Sequence, residues 1–540
     1  MRETYLKFNL QTLGSLDVSL AKLRMFVSDT SGHAQNVKPV ADDSWTEQTL
    51  TFNNRPAKGS AINTFTPSSS GWLEIDLTAF VAANAGSVLS LAIDSNGSNA
   101  YAFNSAEATS NRVELVINHG ATPTPSPAPS PSPTPTPTPA ATASPTPTPG
   151  PSGTPTPTPA PTPNPNGYKG QSYSPVSAPT GEKPQSKLWF NDGIWWGSLF
   201  NSGTEEFRIH RLNWATQTWT DTGVVIDTRN NSDADVLWDG AKLYVASVVP
   251  NSTSASNRAE LRRFSYNPAT DIYTIDSGFP VTIRSGVAME TIVLAKDTTG
   301  ALWVTYTNMN AVWVMRTTTS DSVWGTAFTP PVAEVANLTP DDLSTIVAFD
   351  SKIGVMWGNQ TNMTYYFATH ADGAGDMTWE SSVALAIPEG ADDHINVKAL
   401  SGDPAGRVFA AVKTSLNNSN DPLVMLLVLK PDGTWVNHTV SRVAEDQTRA
   451  IVTIDQQNRQ LYVFAAGPCC SGGTVYYKQT SLDAISFPIG PGSSFMQSAS
   501  DACINNVSSS KQNLTGSTDL VVIAGADCTD SYFHNRIDLP

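Results

Sequence analysis

Short runs of alternating apolar and polar residues fill the first 120 positions of the chain. Within 5–10, 22–27 and 72–77 every second residue is apolar or aromatic, and clusters of Gly, Ser, Asn or Asp separate such runs. A period of two places successive side chains on opposite faces of a strand, so that one face can be buried. The pattern predicts an antiparallel, jelly-roll-like β-sandwich over residues 1–119.

A second pattern, with a longer period, runs from residue 167 to residue 540. An apolar strand, a polar turn and a second apolar or aromatic strand recur seven times. Each copy has a polar residue at or just before the head of its first strand: Lys187, Asp235, Glu290, Asp342, His394, Arg449 and Asn506. The steps between these seven residues are 48, 55, 52, 52, 55 and 57. Such a period, with several strands per unit, predicts a seven-bladed β-propeller rather than two packed sheets. A segment around 172–175 would complete the seventh blade.

The segment between the two patterns, residues 120–166, consists almost entirely of Thr-Pro, Ser-Pro and Ala-Pro dipeptides. It has nothing to bury, and proline at nearly every second position favours extended polyproline II. At about 3.1 Å per residue this linker could extend on the order of 140 Å. The predicted fold class is therefore all-β, with a sandwich, a disordered Pro/Thr-rich linker and a propeller.

Composition and charge narrow the range of partners. The net charge is −16 and only 15% of the residues are charged, which argues against nucleic acid, because phosphate binding needs a basic face. No apolar run approaches the roughly 20 residues of a membrane helix. A low fraction of charged residues with a negative net charge is typical of a secreted all-β protein. Because the chain starts directly in a strand pattern without a signal peptide, we interpret it as an N-terminally truncated copy of such a protein.

The four cysteines lie close to the C-terminus and lack the paired C-x-x-C spacing of a zinc site. We expect disulfides, with Cys503–Cys528 and a vicinal Cys469–Cys470 pair as the candidate bonds. No cofactor is indicated by the sequence, and a structural calcium ion stays an open alternative. The expected state is a monomer that meets a polysaccharide or another glycan.

We expect the catalytic or ligand-binding residues where the innermost strands of the blades begin, because these strands all start at the same end of the central channel. The seven strand-head residues should therefore form one ring. Further polar residues near the same strand heads are Asp233, Asp393, Asn396, Lys398 and Lys511. Within 394–398, a period of two places His394, Asn396 and Lys398 on one strand face. The alternative is that polar groups at a wet channel mouth merely hydrogen-bond loops.

Three activities compete for this ring. A polysaccharide lyase needs a base and a clamp for the uronate carboxylate: His394 would be the base, Arg449 with Lys398 or Lys511 the clamp, and Asn396 a hydrogen-bond donor. His534 is a second candidate base. A glycoside hydrolase needs two carboxylates, which Asp235, Glu290 and Asp342 could supply. A lectin-like propeller would bind without turnover. Further candidate substrate contacts are Lys187, Asp233, Asp393, Asn506, Lys511 and His534. A sialidase is disfavoured, because no three-arginine cluster is evident.

Two resemblances extend this interpretation. The N-terminal pattern resembles the DNRLRE-type carbohydrate-binding module, through Tyr5-Leu6-Lys7-Phe8, Ala21-Lys22-Leu23-Arg24, Trp45-Thr46-Glu47, Asn53-Asn54-Arg55-Pro56-Ala57 and Trp72-Leu73-Glu74-Ile75-Asp76-Leu77. That resemblance implies a jelly roll that binds alginate-like polysaccharides, although strands that usually precede Tyr5 are missing. The C-terminal pattern is similar to secreted bacterial propellers, through Lys187-Leu188-Trp189-Phe190, Asp235-Val236-Leu237-Trp238 and Asp393-His394-Ile395-Asn396. This implies the fold without an activity. We therefore expect a carbohydrate-active protein, with lyase chemistry slightly favoured.

Overall fold

The computed structural model divides the chain into two compact units, Met1–Gly150 and Pro151–Pro540. The residues that it describes are 3–10, 17–43, 45, 50–52, 54–67, 70–84, 87–95, 102–105, 113–120, 166–181, 183–399, 406–468 and 472–539. The predicted linker lies, apart from its two end residues, outside the described residues, and so does the predicted Cys469–Cys470 pair.

The described part of the first unit consists of strands and one short helix. Their bounds are β1 (Glu3–Asn9), β2 (Asp17–Asp29), β3 (Gln35–Val40), β4 (Asn63–Phe65), β5 (Gly71–Asp76), α1 (Thr78–Ala83), β6 (Val88–Ser95), β7 (Ala102–Phe103) and β8 (Glu114–Gly120). One sheet has the strand order β1-β6-β3-β4. In the other, β2 pairs with β5 on one side and with β7 and β8 on the other.

The core of this unit lies between the two sheets. Leu23, Met25, Val37 and Leu91 have no exposed surface there and belong to one apolar cluster. Leu23 and Met25 alternate along β2 with Lys22 and Arg24, whose side chains reach the solvent face. The alternation read from the sequence thus produces the two faces of the predicted sandwich.

The second unit contains only strands and short 3-10 turns among its described residues. Its strands are β9 (Tyr168–Ser172), β10 (Leu188–Asn191), β11 (Ile194–Asn201), β12 (Glu206–Asn213), β13 (Thr218–Asp227), β14 (Asp233–Trp238), β15 (Lys242–Val248), β16 (Ala259–Asn267), β17 (Ile272–Ile275), β18 (Val281–Arg284), β19 (Val293–Lys296), β20 (Leu302–Asn308), β21 (Ala311–Arg316), β22 (Ser344–Phe349), β23 (Lys352–Asn359), β24 (Thr364–Ala371), β25 (Glu380–Ala386), β26 (Ile395–Ala399), β27 (Val408–Lys413), β28 (Pro422–Leu429), β29 (Trp435–Arg442), β30 (Thr448–Asp455), β31 (Gln460–Gly467), β32 (Thr474–Ser481), β33 (Ser493–Met496), β34 (Ile504–Ser508), β35 (Leu520–Ala526) and β36 (Ser531–Ile537).

These strands form seven antiparallel sheets, the blades of a propeller. Blades 1, 4, 5 and 6 are β10–β13, β22–β25, β26–β29 and β30–β33, each with its strands in chain order. In blade 2, β17 and β18 share the outer position beside β16. In blade 3, β19–β21 are extended by hydrogen bonds between Val314 and Phe328. The innermost strands of neighbouring blades contact each other around the channel. The all-β, sandwich-and-propeller prediction is thus confirmed.

The ring is closed by a strand from the start of the unit. Blade 7 has the order β34-β35-β36-β9, so its outermost strand precedes blade 1 in sequence. The closing strand ends at Ser172, the first residue of the predicted segment around 172–175. A disulfide joins Cys503 to Cys528 in the same blade, as the sequence predicted. No helix among the described residues is long and apolar enough to cross a membrane.

The Asp-Gly turns of the repeat set the hairpin registers. Asn191 pairs with Ile194, which leaves Asp192 and Gly193 as a two-residue loop with φ of 53° and 73°. Positive φ at both positions is the signature of the turn whose twist matches the strands on either side. The turn fixes the register in which Trp195 and Trp196 enter the core at 2% and 0% exposure. Both tryptophans therefore pack the blade and do not face a ligand.

Candidate functional site

The channel of the propeller contains a piece of its own chain. Residues 183–187, here termed the crossing segment, lead into blade 1 and hydrogen-bond the innermost strands of distant blades. Gln185 Nε2 donates to the Ile292 carbonyl before blade 3 (3.0 Å), and Asn396 Nδ2 in blade 5 donates to the Lys183 carbonyl (2.9 Å). Polar groups that were expected to face a glycan therefore face this segment.

Asp235 is the buried centre of these contacts. Its carboxylate is fully buried and accepts the backbone N–H groups of Ser186 (2.8 Å) and Leu294 (2.7 Å). The Lys511 ammonium lies 2.6 Å from the same carboxylate and also donates to the Leu294 carbonyl (2.6 Å). One side chain thus ties the crossing segment to blades 2 and 3 and to the loop after β34. A carboxylate so fully occupied has no free oxygen for acid–base work.

His394 lies at the head of β26 and is 8% exposed. Its Nδ1 faces carboxylate oxygens of Asp392 and Asp393, the latter at 2.5 Å, and its Nε2 is 3.0 Å from Thr448 Oγ1. A carboxylate, an imidazole and a hydroxyl in line are the parts of a nucleophile activated by a base. Thr448, however, is only 1% exposed. The arrangement joins the innermost strands of blades 5 and 6.

Two lysines neutralise the acidic pair beside His394. Lys413 Nζ donates to Asp392 (2.6 Å), and Lys183 of the crossing segment pairs with Asp393. Burial alone would raise the pKa of Asp393, but the hydrogen bond from His394 and the charges of His394 and Lys183 hold it far below its usual value. Ligand atoms of Asp392, Asp393 and His394 lie within 4.8 Å of one another, which is metal-ligand spacing. With both carboxylates already paired to lysines, the cluster needs no cation for charge balance.

Asn396 and Lys398 follow His394 on the strand face predicted to be polar. Both ends of the Asn396 amide are engaged, since its Oδ1 accepts the Val452 N–H (3.2 Å) while its Nδ2 donates to the crossing segment. Lys398 Nζ contacts Ser186 Oγ at 3.4 Å. The alternate residues Ile395 and Val397 belong to the apolar core. His394 faces blade 6, whereas Asn396 and Lys398 both contact the crossing segment.

The other predicted strand-head residues fall into two groups. Asp342 is fully buried and accepts the backbone N–H groups of Thr339 (2.6 Å) and Gln360 (3.0 Å); burial raises its pKa. Lys187 is 2% exposed and donates to Gln185 Oε1 and the Ala234 carbonyl, both at 2.7 Å. Both side chains are therefore engaged within the fold. The second group has partly exposed side chains and consists of Asp233, Glu290 and Arg449.

Arg449 and Asn506 occupy irregular strand heads. Both have positive φ, 53° and 56°, where β30 and β34 shift register against their neighbours. Such bulges redirect side chains at the rims of barrels and near sites. Arg449 lies near Asp527, whose pKa is raised by burial and held back by the Tyr173 hydroxyl and the Arg449 charge. We term the face where the innermost strands begin the head face. Arg449 is the predicted clamp residue whose side chain is partly exposed on this face. Asn506 is 8% exposed.

His534 does not lie at the channel. It is fully buried in β36, the third strand of blade 7, stacked on Tyr168 and edge-on to Trp219. Its Nε2 is 3.3 Å from Gln217 Oε1, and burial lowers its pKa to about 3. The structure therefore separates it from the proposed base site. It seals the junction between blade 7 and blade 1.

Sequence reasoning missed a cavity at the opposite end of the channel. This cavity, of about 130 Å³, lies where the innermost strands of blades 2 to 5 end and is lined by Lys296, Lys398 and Lys511 among apolar side chains. The face on which it opens is here termed the tail face. Lys296 and Lys398, near the ends of otherwise apolar innermost strands, and Lys511, in the loop after β34, were the available signal. The sequence placed Lys398 and Lys511 with the strand heads instead.

Comparison with known proteins gives one clear family match. Residues 1–119 match the model of carbohydrate-binding module family 96. This match supports a carbohydrate-binding module at the N-terminus. A comparison with curated protein sequences found no match.

Similar solved structures were found at low scores. The NanB sialidase from Streptococcus pneumoniae has 13% identity and a TM-score of 0.28 over 53% of this chain and 48% of that chain. The arabinanase Arb43A from Bacillus subtilis has 13% identity and a TM-score of 0.30 over 48% and 97%. The α-L-arabinofuranosidase from Lactobacillus brevis has 10% identity and a TM-score of 0.30 over 48% and 94%. The chain spans about half the length of the sialidase. At these scores the likeness carries no argument about activity.

Proposed function

We propose that the protein is an extracellular glycan-binding protein that holds an acidic polysaccharide through its N-terminal module. The observation that carries the proposal is the match of residues 1–119 to carbohydrate-binding module family 96. The acidic class of glycan comes from the resemblance to modules that bind alginate-like polymers. The propeller supports binding without turnover, because His394, Asn396, Asp235 and Asp342 are all buried and hydrogen-bonded within the fold.

The contact surface that we infer is the solvent face of the β2–β5 sheet. Trp72 is 42% exposed and packs edge-on against Phe26. The Arg24 guanidinium lies 4.4 Å from the Trp72 ring centroid and pairs with Glu74 and Glu114. An exposed indole on a rigid sheet can stack on the apolar face of a sugar ring. The guanidinium beside it holds the indole in place through a cation–π contact.

We expect the Trp72→Ala variant of the full chain to lose affinity for an acidic polysaccharide. The loss should be at least about tenfold, the effect typical of an aromatic anchor. Affinity electrophoresis in native gels containing alginate, pectin or ulvan-type polymers measures it. Phe52→Ala is the matched control, because Phe52 is 65% exposed and also carries an arginine, Arg55, 3.6 Å from its ring. Equal retardation of the two variants would contradict the assignment of the β2–β5 sheet as the contact surface. No retardation of the unaltered chain would contradict the proposed glycan binding.

β-Elimination is the alternative for the propeller. It would require the His394 imidazole to exchange its contact with Thr448 for a substrate carbon acid, with Arg449 on the head face holding the carboxylate. The partial exposure of Arg449 is compatible with such a clamp. The buried state of His394 and Thr448 favours binding over this chemistry. Hydrolysis is favoured less, because Asp235 and Asp342 both accept backbone N–H groups.

A further inference from the structure

The tail-face cavity combines buried amines with an apolar wall. Its volume of about 130 Å³ is slightly below the roughly 150 Å³ of an engineered protein cavity that accommodates benzene. Leu237, Ile346 and Val347 contribute apolar surface, and Lys296, Lys398 and Lys511 contribute amines. A cavity of this size admits a small organic molecule or the end group of a larger one. Its amines restrict the class to molecules that carry negative charge.

Lys398 differs from the other two lysines in its partners. Lys296 donates to Asp239 (2.6 Å) and the Tyr244 hydroxyl (3.2 Å), and Lys511 is paired with Asp235. Lys398 is only 7% exposed, and within the described part of the chain its ammonium makes one hydrogen bond, the 3.4 Å contact with Ser186 Oγ. An ammonium group has three donors. Most of the hydrogen-bonding capacity of this buried cation is therefore unused.

The surrounding charges cannot neutralise Lys398. Among the described residues, the charged groups near it are Lys511, Lys296, Asp235 and Asp239. Asp239 is paired with Lys296, and Asp235 already accepts from Lys511 and two backbone N–H groups. Burial and the Lys511 charge lower the pKa of Lys398 to about 7, although Asp235 opposes the shift. An isolated buried ammonium is costly unless it is paired. An anion in the cavity would supply that pairing.

We propose that the tail-face cavity binds a small carboxylate, with its oxygens on the Lys398 and Lys511 amines and its carbon atoms against Ile346 and Val347. The inference is independent of glycan binding by the N-terminal module. Two sources share this chemistry, a free short-chain carboxylate and the carboxylate of a uronic acid. The apolar wall suits the carbon chain of the first, and the open side of the cavity admits the second.

The test is isothermal titration calorimetry of the full chain with sodium butyrate and with sodium glucuronate at pH 6 and pH 8. Tighter binding of butyrate identifies the free short-chain source, and tighter binding of glucuronate identifies the uronate source. Because binding needs the charged amine, the affinity should fall about tenfold from pH 6 to pH 8. Absence of binding by both ligands, or an affinity independent of pH, would overturn the proposal.

Two variants separate the site from a general charge effect. Lys398→Met removes the amine but keeps an unbranched side chain of nearly the same length, and it should weaken binding at least about tenfold. Val347→Phe keeps Lys398 and fills the cavity, and it should have a similar effect even if Lys398→Met fails to fold. Lys430→Met, at an exposed lysine outside the cavity, should bind like the unaltered chain. If Lys398→Met or Val347→Phe folds and binds normally, the cavity is not the site.

Discussion

Replacing Asp235 by alanine is expected to lower the free energy of unfolding of the propeller by about 3–5 kcal/mol, the cost typical of breaking a buried ion pair. The carboxylate is fully buried and is shared by the Lys511 ammonium and the backbone N–H groups of Ser186 and Leu294. Its removal leaves the two amide donors and the partly buried Lys511 ammonium without this acceptor. The crossing segment also loses one of its contacts with blade 2, while the bond from Lys187 to the Ala234 carbonyl remains.

Urea unfolding followed by tryptophan fluorescence measures the Asp235 effect. Asp483→Ala is the control, because Asp483 pairs with Arg459 on the surface with a side chain that is 58% exposed. Exposed pairs contribute about 0–1 kcal/mol, so the control should unfold close to the unaltered chain. Asp235→Asn keeps one acceptor and should lose less than Asp235→Ala. Equal unfolding midpoints for Asp235→Ala and Asp483→Ala would contradict the role given to Asp235.

Acidification is expected to destabilise the propeller through His534. The pKa of this buried imidazole is lowered from 6.5 to about 3. Below pH 6.5 the unfolded chain therefore binds a proton that the folded chain does not, and stability falls as the pH falls. The loss begins near pH 6.5, is complete near pH 3, and amounts to about 4–5 kcal/mol over that range.

Substitution of His534 isolates this contribution from that of the carboxylates. His534→Phe keeps a ring between Tyr168 and Trp219 but cannot be protonated, so its stability should fall less steeply between pH 6.5 and pH 3. Loss of the Gln217 contact shifts its stability equally at every pH in this range. His33→Gln, at an exposed histidine of the first unit, should retain the slope of the unaltered chain. Identical slopes for His534→Phe and the unaltered chain would refute the assignment.

The repeat and its turns were readable from the sequence because they depend on local periodicity. Alternation and Asp-Gly turns specify strands such as β10 and β11 without knowledge of the rest of the chain. The same period-two pattern predicted that Asn396 and Lys398 lie opposite Ile395 and Val397, which pack in the core. The Cys503–Cys528 bond could be proposed from the sequence because the chain has only four cysteines.

The partners of the polar residues could not be predicted in the same way, because they are far apart in sequence. Asn396 bonds Lys183 across 213 positions, and Lys511 bonds the Leu294 carbonyl across 217. The alternation along a strand predicts the face on which a side chain lies. It does not predict whether another segment of the chain fills the channel on that face. The crossing segment, with Pro184 at its centre, carries no periodicity that would reveal its path. His534 was a second candidate base for the same reason, because the rings that enclose it belong to β9 and β13, which are distant from it in sequence.

The most direct test of the account is the ultraviolet absorbance of an acidic polysaccharide incubated with the full chain, using a polymer that retards the chain in affinity electrophoresis. We predict no rise in absorbance from unsaturated ends and no increase in reducing ends, because the candidate base and carboxylates are buried and hydrogen-bonded. A rise in absorbance that His394→Ala abolishes, with the variant still folded and still retarded, would contradict the account and establish a lyase.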